Sequence, residues 1–553
     1  MRRGLTLLIV VGAMIASLVP MAGAAHKNPP RGGVVELQVI QYSDWHGQLD
    51  PLFVFGEGTF GGAAELATYF AQERANNPNT LVITGGDDFG GTPPLSSFFD
   101  ERPAVVAQNM MGTDVSTLGN HNFDRGIDHL QEMIDLADYP YVSANLANVD
   151  DNLDGVDRYE IFHFEDIQVA VIGATNEEAP SLVFPGSFGT IDVVDAAKAA
   201  QLARDKLARR GVDVFILVTH NGVRSIVDGV PQGELIDLAE SLEGFDLILG
   251  DHTDFRYEGI HNGALVTETQ SRGRDYARIS LTVRPGRRGV LAKSVEFVDP
   301  VSSAVEPDPA IVEFLQPFRD ELSALLDEKI GETTGFWPRG DGYERIGEAE
   351  VGNLMADSFL NRYGTQLAFT NSGGIRSPLP SSYVPDPSAG ADRDGVFPDD
   401  ILLGDVFNFH SFGNEVVTRD ISGAALHAML EHGLGQLPDS DGRFPQIAGF
   451  RVIYDSAAPE GARVISVELM DGTPIPADGT LYSLALPDFV NEGGDGYTML
   501  ADGVGTTREL LTQVVEAEIR SRGTITPFFD CRLIDVNPAG PAAGRQDCSA
   551  FLP

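Results

Sequence analysis

The amino-acid sequence predicts an α/β protein, and three observations support this prediction. Short runs rich in Val, Ile and Leu end in polar or glycine-rich turns, segments with helical spacing separate several of these runs, and the chain is long enough for more than one domain. The predicted strands are 34–42, 80–84, 114–118, 167–173, 212–219 and 245–250, and the predicted helices between them include 62–74 and 196–210. Since ligands of α/β folds gather at the carboxyl ends of strands, the residues after each run are the first candidates for a functional site.

The composition of the chain excludes two broad classes. The 553 residues include 38 Lys and Arg against 81 Asp and Glu, which gives a net charge of −43. Such a surface repels phosphate backbones, so we expect no nucleic acid to bind through a basic face. With 42% hydrophobic and 8% aromatic residues, the chain is also not a disordered acidic polymer. A folded, acidic protein is therefore expected.

The two ends of the chain indicate export. Arg2 and Arg3 precede an apolar stretch at 5–18 and a small-residue site at 22–24, which predicts a signal peptide over 1–25. A retained anchor is the alternative, but the apolar run is short for a membrane span, so we expect no stable membrane anchor. The two cysteines, Cys531 and Cys548, are expected to form a disulfide in an oxidising compartment. The predicted location is secreted, either periplasmic or extracellular.

A second segment pattern begins near residue 306. Asp308 and Pro309 form a good helix start, and apolar residues follow at helical spacing. We interpret this helix as a connector between two domains, and a further helix is predicted from Asn353 to about Tyr363, ended by Gly364. The predicted organisation is a signal peptide at 1–25, a first domain at 33–305, a linker helix at 306–330, a second domain at 331–530 and a tail at 531–553.

Five short motifs follow predicted strands of the first domain. They are Ser43-Asp44-Trp45-His46-Gly47, Gly85-Gly86-Asp87-Asp88, Gly119-Asn120-His121-Asn122-Phe123-Asp124, Thr219-His220-Asn221-Gly222 and Gly250-Asp251-His252-Thr253-Asp254. Carboxylate, imidazole and amide ligands that converge from separate loops suit divalent cations. A lone histidine at a strand end is more often structural, but four histidines in such turns favour a metal site. Two cations that share a carboxylate could hold a phosphate group and activate water.

This set of motifs resembles the calcineurin-like metallophosphoesterases, and specifically the secreted 5′-nucleotidase/UDP-sugar hydrolase group. The resemblance implies a four-layer α/β/β/α metallophosphoesterase domain followed by a smaller α/β nucleoside-binding domain. It also implies the ligands of two divalent metal ions, Mn, Zn, Co or Mg. One metal would be held by Asp44, His46, Asp87 and Asp254, and the other by Asp87, Asn120, His220 and His252. His121, oriented by Asp124, would stabilise the transition state. Asp254 departs from the His or Gln that is common in the family, and Asp88 is expected behind the ligands or facing solvent.

The second half carries four further motifs of the same family, at 348–357, 371–376, 411–414 and 489–497. Phe412 and Phe489 can stack on a nucleobase, although a single Phe is more often a core residue. Asp495 can accept hydrogen bonds from ribose hydroxyls, and Asn371 or Asn414 can contact base or sugar edges. Arg345 and Arg376 can neutralise phosphate groups.

The resemblance therefore implies a dinuclear-metal phosphohydrolase that converts 5′-nucleotides to nucleoside and phosphate by attack of metal-activated water, a role in nucleotide catabolism. A UDP-sugar or dinucleotide diphosphatase and a 2′,3′-cyclic nucleotide phosphodiesterase would use the same metals and stay open as alternatives. From a different class, a non-catalytic extracellular nucleotide-binding protein also stays open. The expected partner is a small nucleotide substrate, and the residues leave the oligomeric state open.

Overall fold

The computed structural model describes residues 33–286, 289–340 and 342–551. The predicted signal peptide at 1–25 lies outside these residues. Within the described ranges, no helix combines the length and the apolar character needed to cross a bilayer. Residues from Val34 onward form one compact unit.

Two facing sheets build the first half of this unit. One has seven strands in the order Val290–Val298, Tyr276–Val283, Val35–Tyr42, Thr80–Thr84, Val115–Ser116, Tyr141–Val142 and Val156–Asp157. The other has six, in the order Tyr257–His261, Ala264–Glu268, Leu247–Leu249, Val214–Thr219, Ile167–Ala174 and Tyr159–Phe164. The central strands are parallel in both sheets, so their carboxyl ends lie along one edge of each.

The side chains of the central strands alternate between two apolar layers. Leu37 and Val39 point into the layer between the two sheets, where they pack with residues such as Val171 and Ile216. Ile40 and Tyr42 of the same first strand point to the opposite face, against helices. Because both faces of each sheet are covered, these strands are nearly continuous apolar runs in the sequence.

Helices cover the outer faces of both sheets. The seven-stranded sheet is covered by Ala63–Asn76, Pro94–Ser97, Arg102–Met111, Gly126–Leu136 and Pro309–Leu326, and the six-stranded sheet by Ala196–Ala208 and Glu234–Ser241. The order of layers is therefore helix, sheet, sheet, helix, and the predicted four-layer arrangement is confirmed. Small two-stranded ribbons pair Leu52–Val54 with Gly58–Phe60, Leu146–Ala147 with Asp192–Val193, and Ser225–Val227 with Val230–Gln232.

The expected connector is a helix, Pro309–Leu326. The Asp308 side chain caps it by accepting hydrogen bonds from the backbone N–H groups of Ala310 and Ile311. Its apolar face, including Ile311 and Leu315, is buried against the helices of the first half. The helix is therefore part of the first hydrophobic core as well as a connection to the second half of the chain.

The second half is a smaller α/β assembly. Its five-stranded sheet has the order Pro445–Ala448, Leu367–Asn371, Leu481–Pro487, Glu415–Ser422 and Thr506–Leu510. Two three-stranded sheets join Asp399–Leu402, Lys329–Thr333 and Thr524–Ile525, and Val464–Leu469, Phe450–Tyr454 and Leu533–Asp535. The helices are Glu350–Tyr363, Leu403–Phe409, Gly423–Gly433, Asp488–Asn491 and Leu511–Arg522. The helix predicted from Asn353 begins three residues earlier and ends, as expected, at Gly364, whose φ is 62°.

The tail is fastened to the start of helix Glu350–Tyr363. The buried Glu348 carboxylate accepts hydrogen bonds from the backbone N–H groups of Asp530 and Arg532 and from the side chains of Asn353 and Gln546. Cys531 and Cys548 form the expected disulfide. A single buried carboxylate thus gathers residues that are far apart in the chain.

The disulfide generates a first prediction. Replacing both Cys531 and Cys548 by Ser removes a covalent loop with a sequence separation of 17 residues, and loop-closure entropy makes such a crosslink worth about 3 kcal/mol. We expect a lower midpoint of thermal unfolding and faster proteolytic cleavage after residue 536. A variant with the same midpoint and the same cleavage pattern as the oxidised parent would show that the tail is held by its noncovalent contacts alone.

Candidate metal centre and substrate cavity

The predicted metal ligands lie in loops that follow the central strands. Asp44 and His46 come after Val35–Tyr42, Asp87 after Thr80–Thr84, and His220 after Val214–Thr219. Five of the seven predicted ligands, Asp44, His46, Asp87, His252 and Asp254, have φ values between 41° and 89°. A left-handed backbone is unfavourable for such residues, and its concentration here is typical of functional sites.

The loops bring ligand-type atoms from both sheets together. Three groups have their ligand atoms within 4.8 Å of one another, and they are His46–Asp87–His121, Asp87–His220–His252 and Asp44–His220–Asp251. Asp87 belongs to the first two groups and His220 to the last two. The His220 Nε2 atom lies 3.0 Å from Asp87 Oδ2 and 3.2 Å from His252 Nδ1. A carboxylate at the centre, shared by two groups, suits a pair of cations.

Two further predicted ligands, Asn120 and Asp254, line the cavity beside these groups of His and Asp side chains. The Asn120 side chain is 2% exposed, and its Oδ1 atom has no hydrogen-bond partner among the described residues. A buried amide oxygen without a partner is costly unless something such as a cation binds it. Asp254 lines the same cavity, but its carboxylate is not in any of the three close groups. The donor set of carboxylate, imidazole and amide therefore fits divalent cations.

Burial and mutual proximity shift the pKa values of these groups. Burial, reinforced by the charge of Asp251, raises the pKa of Asp44 well above its usual range. Burial alone would also raise the pKa of Asp87, but the imidazoles of His220 and His121 hold it well below the usual value. Burial and the Arg376 guanidinium lower the pKa of His46. The cluster is thus a dense set of buried, interacting charges.

Asp251 is a buried carboxylate that the sequence analysis quoted within a motif without giving it a role. It accepts hydrogen bonds from the backbone N–H groups of His252 at 2.8 Å and Asp44 at 3.3 Å, and it lies 3.5 Å from His220 Nδ1. A Cβ atom at Gly85 would come within 2.4 Å of the Asp251 carboxylate, so glycine is required there. Asp251 thereby connects three of the loops.

Glu178 is a second residue that sequence reasoning missed. Its Oε1 atom lies 3.4 Å from His252 Nε2 and 2.8 Å from Arg224, and the same Arg224 is 3.5 Å from Asp441 of the second half. Burial would raise the pKa of Glu178, but His252 and Arg224 lower it to about 2. A carboxylate on the outer nitrogen of a metal-binding imidazole orients the ring, and nothing local in the sequence marks this pairing.

Asp88, expected behind the ligands or facing solvent, is fully buried. It accepts hydrogen bonds from Asn122 at 2.8 Å, Tyr141 at 2.9 Å and Tyr139 at 3.1 Å. The Asn122 side-chain oxygen accepts in turn from the backbone N–H groups of Gly119 and Asp87. Asp88 therefore supports two of the ligand loops from behind.

His121 lies at the edge of the cluster. Its Nδ1 atom is 3.0 Å from Asp124 Oδ2, and its backbone N–H donates to Asp87 Oδ1 at 2.8 Å. Its ring packs against Phe412 with centroids 5.5 Å apart and planes at 16°. His121 is thus held by one carboxylate and by an aromatic residue of the second half.

The motifs of the second half reach the cluster directly. The Arg376 Nη2 atom lies 3.2 Å from His46 Nε2, and the Arg376 guanidinium carbon is 5.3 Å from the centre of the Phe412 ring. A Cβ atom at Gly91 would come within 3.1 Å of Phe412 and 3.2 Å of Arg376, which shows how closely the two halves approach.

The remaining predicted substrate residues contact carboxylate and aromatic side chains in the same cavity. The Asn371 side chain donates to Asp495 at 2.7 Å, while Asn414 donates to Asp488 at 2.8 Å. Burial, with the charge of Asp441, raises the pKa of Asp495 to about 7. Phe489 packs edge-on against Phe184 of the first half, with centroids 5.5 Å apart.

One cavity of about 830 Å³ unites these residues. Fifteen of the sixteen predicted site residues line it, and the sixteenth, His220, is fully buried beneath Asp87 and His252. Cavities of this size hold small organic ligands. The arrangement places a cation-binding cluster and an aromatic, amide-rich pocket in one continuous space.

Comparison with known proteins relates this architecture to two family models. Residues 37–256 match the calcineurin-like phosphoesterase family and residues 329–502 match the 5′-nucleotidase C-terminal domain, so that the two matches together cover more than half of the chain.

Individual relatives agree with these matches. The chain is 27% identical to a 5′-nucleotidase of Vibrio cholerae over 98% of this chain and 99% of that protein. It is 27% identical over 86% of its length to endonuclease YhcR of Bacillus subtilis, but it spans only 38% of that longer relative. The structure of a 5′-nucleotidase precursor from Thermus thermophilus superposes with a TM-score of 0.80 at 25% identity, covering 91% of this chain and 99% of that one. The chain thus belongs to the family that joins a calcineurin-like phosphoesterase domain to a 5′-nucleotidase C-terminal domain.

Proposed function

We propose that this protein hydrolyses 5′-nucleotides to nucleoside and phosphate. The observation that carries the proposal is the contact between Phe412 and His121, whose rings stack with centroids 5.5 Å apart. A base-stacking candidate thereby touches the residue that borders the cation-binding cluster. The activities named for the relatives in Vibrio cholerae and Thermus thermophilus point the same way.

Seven residues would hold two divalent cations, namely Asp44, His46, Asp87, Asn120, His220, His252 and Asp254. When bound, such cations neutralise phosphate charge and lower the pKa of water so that it can attack phosphorus. Asp251 and Glu178 would orient the ligand loops and the His252 ring from outside.

The other residues would bind the substrate and move protons. Asp124 holds the Nδ1 atom of His121, so that Nε2 is the nitrogen available to donate a proton to the departing oxygen or to stabilise charge on the phosphoryl group. Arg345 and Arg376 would neutralise phosphate oxygens. Phe412 and Phe489 would contact the base, and Asp495 would accept hydrogen bonds from ribose hydroxyls. Asn371 and Asn414 would hold the carboxylates of Asp495 and Asp488 in place.

We also propose the domain division and location that the sequence predicts. The boundaries at 33–305, 306–330, 331–530 and 531–553 are supported by the separate sheets and by helix Pro309–Leu326 between them. Export to the periplasm or the medium is supported by the Cys531–Cys548 disulfide, since disulfides persist in oxidising compartments.

The proposed function is tested by phosphate release from AMP. The purified protein is assayed with Mn²⁺, Zn²⁺, Co²⁺ or Mg²⁺ and with a chelator, and UDP-glucose, 2′,3′-cyclic AMP and bis(p-nitrophenyl) phosphate are compared in product-specific assays. We expect turnover of AMP that the chelator abolishes. Faster turnover of UDP-glucose or of the cyclic nucleotide would assign one of those reactions instead, and bound nucleotide without turnover under any metal would assign a non-catalytic binder.

Two histidine variants separate metal binding from proton transfer. His220→Ala removes a buried ligand next to Asp87, and we expect it to lose bound metal and activity together. His121→Ala should keep both metals and lower kcat by about 10²- to 10⁴-fold. Metal content is measured by mass spectrometry beside the kinetics, with the exposed His163→Ala as the control.

This pair is informative because His121 also has a ligand atom close to those of His46 and Asp87. If His121→Ala emptied a metal site, His121 would be a ligand and its proposed role would be wrong.

Two phenylalanine variants separate base binding from support of His121. Phe489 packs on Phe184, whereas Phe412 is the ring that packs on His121, so Phe489→Ala should raise KM for AMP about tenfold and leave p-nitrophenyl phosphate hydrolysis unchanged. Phe412 packs on both His121 and Arg376, so Phe412→Ala should slow both substrates. Equal effects of the two variants on both substrates would contradict the assignment of Phe489 to the base.

A further inference from the structure

Arg224 contacts three carboxylates that come from three different segments of the chain. Its Nε atom lies 2.7 Å from Glu234 Oε2, and its Nη2 atom lies 2.8 Å from Glu178 Oε1. Its Nη1 atom lies 3.5 Å from Asp441 Oδ2, which belongs to the second half of the chain. The Arg224 side chain is 9% exposed, and a guanidinium group carries its N–H donors in a fixed plane, so it can hold several acceptors at defined positions.

The contact with Glu234 has a local explanation. Arg224 and Glu234 flank the small ribbon of Ser225–Val227 and Val230–Gln232, and the Arg224 backbone N–H donates to the Gln232 carbonyl at 2.8 Å. This ion pair therefore closes the base of the ribbon. The contacts of Nη1 and Nη2 reach beyond the ribbon, so they require a different explanation.

Glu178 connects Arg224 to the cation-binding cluster. The Glu178 Oε1 atom lies 3.4 Å from His252 Nε2, while the other ring nitrogen, His252 Nδ1, lies 3.2 Å from His220 Nε2. His252 Nδ1 is therefore the nitrogen that faces the cluster. A carboxylate at the outer nitrogen of an imidazole fixes the ring orientation and leaves the inner nitrogen free to bind a cation.

Asp441 connects the same guanidinium group to the substrate pocket of the second half. Its side chain accepts a hydrogen bond from the Arg443 backbone N–H at 2.9 Å, which holds the carboxylate in its loop. The next residue, Gly442, accepts from the Gly373 backbone N–H at 2.7 Å, and a Cβ atom at Gly442 would lie 3.9 Å from Asp495 Oδ2. The loop that carries Asp441 thus lies beside residues that line the cavity.

We propose that Arg224 is a positioning residue that makes cation binding in the first half depend on Asp441 of the second half. Asp441 and Glu234 hold the guanidinium group in place. The guanidinium group holds Glu178, and Glu178 orients the His252 ring. This inference rests on the proposed function in one respect, which is the role of His252 as a cation ligand.

The sign of the effect distinguishes positioning from a simple effect of charge. Arg224 is itself a cation, so the loss of its charge alone would strengthen the binding of another cation nearby. The loss of a positioning contact would instead weaken that binding, because Glu178 would no longer be held against the His252 ring. The two roles therefore predict opposite outcomes for the same substitution.

The test measures how readily a chelator removes Co²⁺ from the loaded protein, followed by the visible absorption of Co²⁺. Arg224→Gln should bind Co²⁺ about three- to tenfold more weakly than the parent. Arg224→Lys keeps the charge, but an ammonium group cannot hold three carboxylates in this arrangement, so it should also bind Co²⁺ more weakly. Arg274→Gln breaks ion pairs with Glu57 and Asp299 away from the cavity and should bind Co²⁺ like the parent.

Parental or tighter binding of Co²⁺ by Arg224→Gln would show that Arg224 only closes the ribbon, and the inference would be overturned.

A double-mutant cycle tests whether Asp441 acts through Arg224. Asp441→Asn alone should weaken Co²⁺ binding about two- to fivefold. In the Arg224→Gln background, the same substitution should have no further effect. Asp502→Asn, which breaks an ion pair with Arg419 within the second half, is the matched control and should leave the affinity unchanged. An effect of Asp441→Asn that persists without Arg224 would show that Asp441 acts by its own charge, which would overturn the inference.

The absorption spectrum provides a readout that a loss of stability alone would not change. Bands that disappear in His252→Ala arise from the cation that His252 binds. The same bands should shift in Arg224→Gln and in Glu178→Gln, because the orientation of the ligand ring changes, and Glu178→Gln should weaken Co²⁺ binding about tenfold or more. Unshifted bands in Arg224→Gln would contradict the positioning role.

The two proposals fail in different ways. If the parent binds Co²⁺ and hydrolyses AMP while the cycle shows no coupling between Arg224 and Asp441, the inference is wrong and the proposed function stands. If the parent binds Co²⁺ but hydrolyses no nucleotide, the proposed reaction is wrong and the Co²⁺ measurements still decide the inference. If the parent binds no cation, both proposals are wrong.

Discussion

The structure depends on keeping several carboxylates close together in a space that excludes most water. Asp44, Asp87 and Asp251 are each no more than 3% exposed, and His220 lies within 3.9 Å of all three. Such a cluster is costly unless positive charge compensates it. Left-handed loops and a glycine at position 85 hold these carboxylates close together. The hydrogen-bond networks of Asp88 and Asp251 support the same loops, so the side chains have little freedom. Because the backbone strain and the desolvation of the carboxylates are already present without a ligand, the cluster is preorganised to bind cations.

The second half of the chain completes the same site. It contributes Arg376 beside His46 and Phe412 beside His121, and Arg224 connects Glu178 with Asp441. The residues that recognise the substrate and those that would promote its hydrolysis therefore influence one another through direct contacts. A substitution in the aromatic pocket can change the reactive centre, because Phe412 packs directly on His121.

Much of this arrangement could be predicted from the sequence. Apolar runs followed by Asp, His and Asn motifs are local patterns, and they predict both the sheets and the residues at their carboxyl ends. Asp251 and Glu178 could not be assigned in the same way. The partner of Glu178 is a histidine 74 positions later in the chain, and the partners of Asp251 lie on two other loops. Such properties arise from packing between distant segments. For Asp88, the motif predicted a position behind the ligands or facing solvent, but it could not predict the hydrogen bonds from Tyr139 and Tyr141.

The contacts of Glu348 have a consequence for the order in which the protein is built. Its carboxylate lies just before helix Glu350–Tyr363, yet three of its partners, Asp530, Arg532 and Gln546, lie between 182 and 198 residues further along the chain. During synthesis this carboxylate stays without them until residues 530–546 have left the ribosome. Because chains are made at about 5–20 residues per second, that interval lasts roughly 10–40 s. The helix Glu350–Tyr363 is thus among the first elements of the second half to be made, but the contacts at its start are among the last to form. A chaperone or the export machinery can act on the unfinished domain during that interval.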